Sequence, residues 1–197
     1  MRDGATAAGP ARGALEAMTD SDTAALIRDL SARVAFLEDR QAIVDLMTSY
    51  GPAIDSGAED AAARVWTEDG VYDVDTGAMH GRAEIAAMVR GDSHQRLISN
   101  GCAHVLEPGS VVIDGDTAVA TCKSLLILAR PDKSAFTVLR ATANRWELAK
   151  GGDGRWRCTR RTSRVLDGRE EAPGLLSRGV PGPDGTLGGP GTEEAPA

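Results

Sequence analysis

The chain has 197 residues, 42% of them hydrophobic and 26% charged, which is typical of one globular domain with a buried core. Its 29 acidic residues outnumber its 22 basic residues and give a formal net charge of -7. Such a balance does not favour contact with phosphates, so DNA and RNA are excluded as expected partners.

The two ends of the chain differ in composition from the middle. Residues 1–19 are rich in alanine and glycine and predict a disordered extension, and residues 171–197 predict a disordered tail rich in proline and glycine. A single folded domain is expected over 20–170. The first 18 residues contain no apolar segment long enough for a signal peptide or a membrane span, so we expect a cytoplasmic location and no membrane contact.

Two amphipathic helices are predicted at the start of the domain. The first covers about 22–38, where apolar residues recur at helical spacing and form a narrow stripe that suits a partner helix: Leu26, Leu30, Val34 and Leu37. Asp39 is a suitable cap for the second, which ends near Asp55. Gly51-Pro52 is expected to bend or loosen its last turn.

The remaining pattern predicts two short helices and then a sheet. The helices are expected at 59–66 and 82–90, with a short extended pair over 71–80 between them. Long β-type runs follow at 105–113, 117–129, 135–148 and 155–165, separated by turns short enough for antiparallel hairpins. Helices followed by a hairpin-linked sheet predict an α+β fold and not a parallel Rossmann-type architecture.

Strand alternation assigns side chains to the two faces of this sheet, because residues i and i+2 share a face. The inward sets are Phe136, Val138, Arg140, Thr142, Asn144 and Trp146 on one strand, Cys122, Ser124, Leu126 and Leu128 on another, and Trp156, Cys158, Arg160 and Thr162 on the last. A mostly apolar concavity with a few polar groups is typical of a small-molecule site. An inward Arg140 needs a carboxylate or an anionic ligand, unless it pairs with Glu107 or lies beyond the rim.

Asp55 and His104 are the candidate acid/base pair. Taken alone, Asp55 is equally consistent with a helix end and turn, and His104 with a hydrogen-bonded strand histidine. Tyr50 and Tyr72 are consistent with packing residues. The core is expected to contain Trp66, Trp146 and Trp156.

Cofactor and metal sites are not indicated. The three cysteines, Cys102, Cys122 and Cys158, lack ligand-like spacing and are expected to be buried thiols. The three histidines, His80, His94 and His104, are also too widely spaced to predict a metal site. The chain contains no glycine-rich nucleotide motif, phosphate loop or Gly-x-Ser-x-Gly element, so no nucleotide cofactor and no serine hydrolysis are expected.

Several motifs occur in the order found in a known family. They are Leu37-Glu38-Asp39-Arg40-Gln41-Ala42-Ile43, Tyr50 with Asp55 five residues later, Trp66-Thr67-Glu68-Asp69-Gly70-Val71-Tyr72, Gly81-Arg82-Ala83-Glu84-Ile85, Ile113-Asp114-Gly115-Asp116-Thr117-Ala118 and Asp153-Gly154-Arg155-Trp156-Arg157. This set resembles the SnoaL-like branch of the nuclear transport factor 2 (NTF2)-like superfamily, which includes scytalone dehydratase and bile-acid 7α-dehydratase. The resemblance implies a cone-shaped NTF2-like fold, with N-terminal helices packed on a strongly curved, mainly antiparallel mixed sheet.

The resemblance also implies functional roles by matching position. Asp55 and His104 would form the catalytic dyad, and Tyr50 and Tyr72 would orient a substrate oxygen. The implied activity is that of a cofactor-independent dehydratase, isomerase or cyclase acting on a hydrophobic cyclic, polyketide-like or steroid-like molecule. Related dehydratases carry a second pocket histidine on the strand after His104, where this chain has aliphatic residues.

Two further expectations remain open. The alternative function is a non-catalytic NTF2-like binding or assembly module, which predicts a shallow or filled cavity and no Asp55–His104 contact. A homo-oligomer, dimer or trimer, is expected through an exposed sheet face containing Val105, Val119, Leu125 and Ile127.

Overall fold

The computed structural model describes residues 18–177. The extension predicted for 1–19 and the tail predicted for 171–197 therefore lie largely outside the described residues. The described residues divide into two units, one ending at Asp39 and the other beginning at Arg40. Within the first unit, the predicted apolar stripe is exposed to solvent, with exposed fractions from 39% at Leu26 to 60% at Leu37.

Helix α1 spans Asp20–Asp55, so the two helices predicted on either side of Asp39 are one. No glycine or proline separates the predicted pair, and Glu38, Arg40 and Gln41 are good helix formers. Thr19 begins the helix with a reciprocal cap, because its Oγ1 accepts the N–H of Asp22 and its own N–H donates to the Asp22 carboxylate, both at 3.2 Å. Pro52 lies inside the last turns and does not end the helix.

Four shorter helices follow in the described part of the chain. They are α2 (Glu59–Arg64), α3 (Gly81–Arg90), α4 (Asp92–Asn100) and α5 (Glu171–Ser177). Two correspond to predicted helices, whereas the sequence does not predict α4, because its apolar residues are only Leu97 and Ile98 and it buries only His94. Helix α5 corrects the predicted start of the disordered tail, since Ala172 and Leu175 are buried in a small cluster with Ala143.

The described strands form one mixed seven-stranded sheet, which confirms the α+β prediction. The strands are β1 (Trp66–Val74), β2 (Gly77–His80), β3 (Cys102–Leu106), β4 (Ser110–Asp114), β5 (Thr117–Ala129), β6 (Phe136–Lys150) and β7 (Trp156–Val165). Their order is β2-β1-β7-β6-β5-β3, with β4 also paired to β5. The β1–β7 pair is parallel and the others are antiparallel. The predicted strand at 105–113 is thus two strands, separated at Pro108, which cannot donate a ladder hydrogen bond.

Two bulges interrupt the alternation on which the facial assignments depended. On β6, Arg140 pairs with Leu126 and Val138 with Ile127, so Leu139 is an extra residue. Beyond it Phe136 and Val138 are 71% and 52% exposed, which corrects their prediction as inward residues. On β7, Thr159 is extra in the same way. One added residue exchanges the two faces of a strand.

The main core lies between the second half of α1 and the sheet. Ile43, Met47, Tyr50 and Ile54 contribute one helical face to it. Trp66, Trp146 and Trp156 are 0%, 0% and 5% exposed, which confirms their prediction as core residues. Among the helices of the described residues, none has the length and apolar character needed to cross a membrane.

Candidate active site

A cavity of about 400 Å³ opens within the second unit. Its wall is mixed in character, with leucine, isoleucine and methionine side chains beside a group of polar ones. The polar side chains are Tyr50, Tyr72, Asp75, Thr76, Ser93, His94, His104, Ser124, Arg140, Thr142, Asn144, Arg161 and Ser163. A concave, partly apolar space of this size suits a small organic molecule.

Asp55 and His104 are in direct contact, as the sequence predicted for a dyad. The Nδ1 of His104 lies 2.6 Å from Asp55 Oδ1, and the backbone N–H of His104 donates to Asp55 Oδ2 at 2.7 Å. His104 lines the cavity whereas Asp55 does not. The carboxylate therefore lies behind the imidazole and fixes both its position and the proton on Nδ1, leaving Nε2 as the free nitrogen.

Gly51 permits this contact. It lies one turn before Asp55 on α1, where a Cβ atom would come within 2.3 Å of the carbonyl oxygen of His104. Only a residue without a side chain allows the helix to approach β3 this closely. The Gly51-Pro52 pair predicted to loosen the helix end thus lies in a turn that packs tightly on the strand carrying the histidine.

Burial lowers the pKa of His104 below its ordinary value of 6.5. The hydrogen bond and charge of Asp55 act in the opposite direction, while the neighbouring His94 and Arg161 lower the pKa of His104 further. The net direction is downward, so His104 is neutral at pH 7. A neutral imidazole held by a carboxylate is the form that accepts a proton.

His94 is a second histidine of the cavity, which the sequence reasoning missed. Its ring stacks on that of His104, with centroids 5.6 Å apart and planes at 29°, and its Nε2 lies 3.0 Å from the Ile54 carbonyl oxygen. It comes from α4 and not from the strand after His104. A histidine in a short polar helix leaves no periodic signal, so only the three-dimensional arrangement reveals it.

Cys102 is also part of this cluster, which corrects its prediction as a buried thiol. It is half-buried, whereas Cys122 and Cys158 are buried as expected. Its Sγ lies 3.5 Å from Asp55 Oδ1 and donates to it. Burial and the neighbouring carboxylate raise the pKa of Cys102 to about 11, so the thiol is protonated at neutral pH.

Asp55, Cys102 and His104 also offer three potential metal-ligand atoms within 4.8 Å of one another. A metal ion would need the thiolate of Cys102 and a carboxylate oxygen released from its hydrogen bonds. In this structure those oxygens accept hydrogen bonds from the two neighbouring residues, and the thiol pKa is raised. The donor set fits a hydrogen-bonded acid/base cluster better than a metal site.

Arg161, and not Arg160, faces the cavity. The bulge at Thr159 reverses the alternation of β7, so the prediction that Arg160 and Thr162 point inward is wrong. Arg161 is 4% exposed, and its Nε and Nη2 donate to Asn144 Oδ1 at 3.1 and 2.7 Å. Arg160 lies on the other face and approaches Asp73 at 3.9 Å.

Aromatic rings surround the guanidinium of Arg161. Its central carbon lies 4.3 Å from the ring centroid of Trp146, 4.8 Å from that of Tyr72 and 5.1 Å from that of Tyr50. These are cation–π distances. The two tyrosines predicted as site residues therefore do line the cavity, and both contact a cation that the sequence reasoning did not identify.

Asn144 organises the polar floor of the cavity and is fully buried, in agreement with its inward prediction. Its Oδ1 accepts from Ser163 Oγ at 2.7 Å in addition to Arg161, and its Nδ2 donates to Ser124 Oγ at 2.9 Å. Every polar atom of the amide is thereby used, so Asn144 acts on the cavity through Arg161.

Tyr50 differs from these groups because its hydroxyl has no hydrogen-bond partner among the described residues, although it is buried. Burial raises the pKa of Tyr50 well above its ordinary value of 10, and the nearby Tyr72 adds to this. The phenol is therefore protonated and can donate a hydrogen bond to a ligand oxygen.

Arg140 lines the cavity but is exposed, which places it at the rim. Glu107, the partner considered for it from the sequence, instead accepts the backbone N–H of Lys123 at 2.8 Å. Five of the six side chains predicted from the sequence thus line the cavity, with Arg140 at its edge, and the sixth, Asp55, lies behind the wall in contact with His104.

Comparison with known proteins gives a consistent result. Residues 35–162 match the SnoaL-like domain family. Among solved structures, the chain is similar to an NTF2-like protein with a cystatin-like fold from Novosphingobium aromaticivorans, at 41% identity over 76% of this chain and 96% of that chain, with a TM-score of 0.72. The curated proteins include no significant match.

More distant structures share the fold. ActVI-ORFA from Streptomyces coelicolor is 20% identical over 64% of this chain and 96% of its own, with a TM-score of 0.57. An NTF2-like superfamily protein from Salmonella enterica is 17% identical over 69% and 98%, with a TM-score of 0.55. At these identities the likeness concerns the fold alone.

Proposed function

The chain belongs to the SnoaL-like domain family, and on that basis we propose that it is a cofactor-independent acid/base enzyme of the dehydratase, isomerase or cyclase type. Its substrate would be a hydrophobic cyclic molecule, polyketide-like or steroid-like. The observation that supports this most directly is the Asp55–His104 contact of 2.6 Å at the wall of a cavity of about 400 Å³.

The proposed first step is proton abstraction. His104 Nε2 takes a proton from a carbon next to a carbonyl group, and the C–H electron pair moves into the carbonyl to form an enolate. Asp55 stabilises the imidazolium that results. The buried hydroxyl of Tyr50 donates a hydrogen bond to the enolate oxygen.

The second step determines the reaction type. If the imidazolium returns its proton to a departing β-hydroxyl, the products are an alkene and water. Return of the proton to another carbon gives an isomer. Attack of the enolate carbon on a second carbonyl closes a ring, and the alkoxide that forms takes the proton back from the imidazolium. All three outcomes share the first step, so that step is the one to test.

A deuterium-exchange experiment isolates proton abstraction without knowledge of the natural substrate. The protein is incubated in D₂O with a panel of cyclic ketones that includes cyclohexanone, 1-tetralone and 2-tetralone, and exchange at the α-carbon is followed by NMR. We expect exchange above the buffer rate for at least one ketone. His104→Ala and Asp55→Asn should each reduce the exchange rate about 10²- to 10⁴-fold, the usual contribution of general acid–base catalysis.

His80→Ala is the matched control, because His80 is exposed and does not line the cavity. It should retain the wild-type rate, and circular dichroism should show all variants folded. Undiminished exchange in a folded His104→Ala or Asp55→Asn variant would exclude the dyad.

The alternative function is a non-catalytic binding or assembly module. It predicts a shallow or filled cavity and no contact between the two dyad residues, and the geometry of the site favours the enzyme on both points. Failure of the wild-type protein to exchange any ketone of the panel would favour the binding module.

A further inference from the structure

Arg161 is a buried cation without a buried anion to balance it. Only 4% of the residue is exposed, and no carboxylate of the described residues lies within ion-pair distance of its guanidinium. Its hydrogen-bond acceptor is the neutral amide of Asn144. Buried charges in proteins are normally paired, because desolvating an unpaired one is costly.

The neighbouring groups only partly compensate for this burial. The rings of Tyr50, Tyr72 and Trp146 stabilise a cation but do not neutralise it. Asn144 Oδ1 already accepts two hydrogen bonds from Arg161 and one from Ser163. Consequently, Arg161 Nη1 has no acceptor among the described residues, and less than 1 Å² of it is accessible to water.

The other charges of the cavity do not supply the missing anion. Asp75 is the one carboxylate among the described lining residues, and it accepts hydrogen bonds from the Val165 N–H at 3.0 Å and from Arg169 at 3.3 Å. Arg140 at the rim adds a second positive charge. The cavity therefore has a net positive wall although the whole chain carries a charge of -7.

We propose that Arg161 binds a carboxylate of the substrate, so that the substrate class is a hydrophobic ring system bearing an acid group. A carboxylate would accept from the guanidinium of this lining residue, whose Nη1 has no partner among the described residues. This inference deepens the proposed function and rests on it, because it names the substrate class of the same site.

A matched pair of probes tests the charge preference. The affinities of 2-naphthoate and of its neutral analogue 2-naphthamide are measured by titration calorimetry at low salt, pH 7.5. We expect the wild-type protein to bind the carboxylate at least about 10-fold more tightly than the amide, since charge-assisted hydrogen bonds are roughly twice as strong as neutral ones. Equal affinities would overturn the proposal.

Two adjacent arginines provide the variant and its control. Arg161→Gln should abolish the preference for the carboxylate and change amide binding by less than about threefold. Arg160→Gln removes the same charge one residue away on the outer face and should retain the full preference. Arg161→Lys keeps the charge and should retain part of the preference for the carboxylate. If Arg161→Gln does not fold, the weaker preference of Arg161→Lys relative to the wild type is the test.

Two outcomes separate this inference from the proposed acid/base function. His104→Ala should lose proton abstraction but keep the carboxylate preference, because His104 is not part of the anion site. If Arg161→Gln instead keeps the carboxylate preference and loses only α-carbon exchange, then Arg161 stabilises the enolate oxygen of the reaction and the proposed acid group is wrong. That result would leave the Asp55–His104 dyad in place.

Discussion

His104 has a divided environment, with one nitrogen held by Asp55 and the other facing the cavity. Burial, His94 and Arg161 lower its pKa, and Asp55 raises it. Because these effects are opposed, each substitution around the ring should move the pKa of His104 in a defined direction. That change in pKa can be measured without a substrate.

A titration of the histidine rings by NMR should show His104 with a midpoint below 6.5. Asp55→Asn removes the two contributions that raise the pKa and should move the midpoint further down. Arg161→Gln removes a contribution that lowers it and should move the midpoint up. His80→Ala identifies the signal of the exposed histidine, and a wild-type midpoint above 6.5 for His104 would contradict the argument.

The same pKa has a consequence for stability. Between the lowered pKa of folded His104 and 6.5, the unfolded chain binds more protons at this residue than the folded chain. The contribution of His104 to the free energy of unfolding is therefore complete above pH 6.5 and is lost as the pH falls through the lowered pKa.

Among the elements, the contact between α1 and β3 determines whether the dyad forms. The helix delivers Asp55 one turn after Gly51, at the point where a Cβ atom would meet the His104 carbonyl oxygen at 2.3 Å. Helix and strand are thus in backbone contact beside the dyad, and neither can shift without changing the Asp55–His104 distance.

Gly51→Ala should therefore damage both stability and the site. We expect the free energy of unfolding, measured by urea denaturation, to fall by about 1–3 kcal/mol, the usual cost of overpacking a close contact. The α-carbon exchange rate should fall with it. Gly152→Ala is the matched control, because a Cβ there meets no atom within 4 Å, and it should change the free energy of unfolding by less than about 0.5 kcal/mol. Wild-type stability in Gly51→Ala would show that α1 and β3 are not in close backbone contact at this position.

The sequence predicts most elements, and its errors have physical causes. Periodicity and turn residues place β5 at 117–129, as observed. A bulge leaves no mark in the periodicity of a sequence. The predicted inward orientation is therefore wrong for Phe136 and Val138, which precede the extra residue Leu139 on β6. It is also wrong for Arg160, which follows the extra residue Thr159 on β7. The orientations of Asp55, His104 and Asn144 could be predicted because these residues lie on regular parts of α1, β3 and β6 that contain no bulge.

At the scale of the whole molecule, the outer face of the sheet leaves apolar side chains exposed. Val105 and Val138 are 47% and 52% exposed, and they pair with Leu125 and Ile127 on the intervening strand β5. Val105, Leu125 and Ile127 also belong to the sheet face that the sequence analysis expects another subunit to cover. Contiguous exposed apolar side chains often mark a protein interface.

We therefore expect a homo-oligomer, dimer or trimer, in light-scattering measurements of the purified protein. Val138→Lys places a charge in the apolar face and should shift the mass towards that of the monomer, 20.6 kDa. Thr137→Lys adds the same charge on the other face of β6 and should leave the mass of the oligomer unchanged. A wild-type protein that is monomeric at all concentrations would contradict the expectation.

The bulge at Thr159 also bears on how this site tolerates evolutionary change. A strand that gains or loses a bulge exchanges its faces, and at most positions this would remove a buried functional group from the site. Here the two residues that would exchange are both arginines, Arg160 and Arg161. With or without the bulge, β7 would present a guanidinium to the cavity. The positive charge of the site would therefore be kept after a change of register that would remove it if only one of the two residues were an arginine.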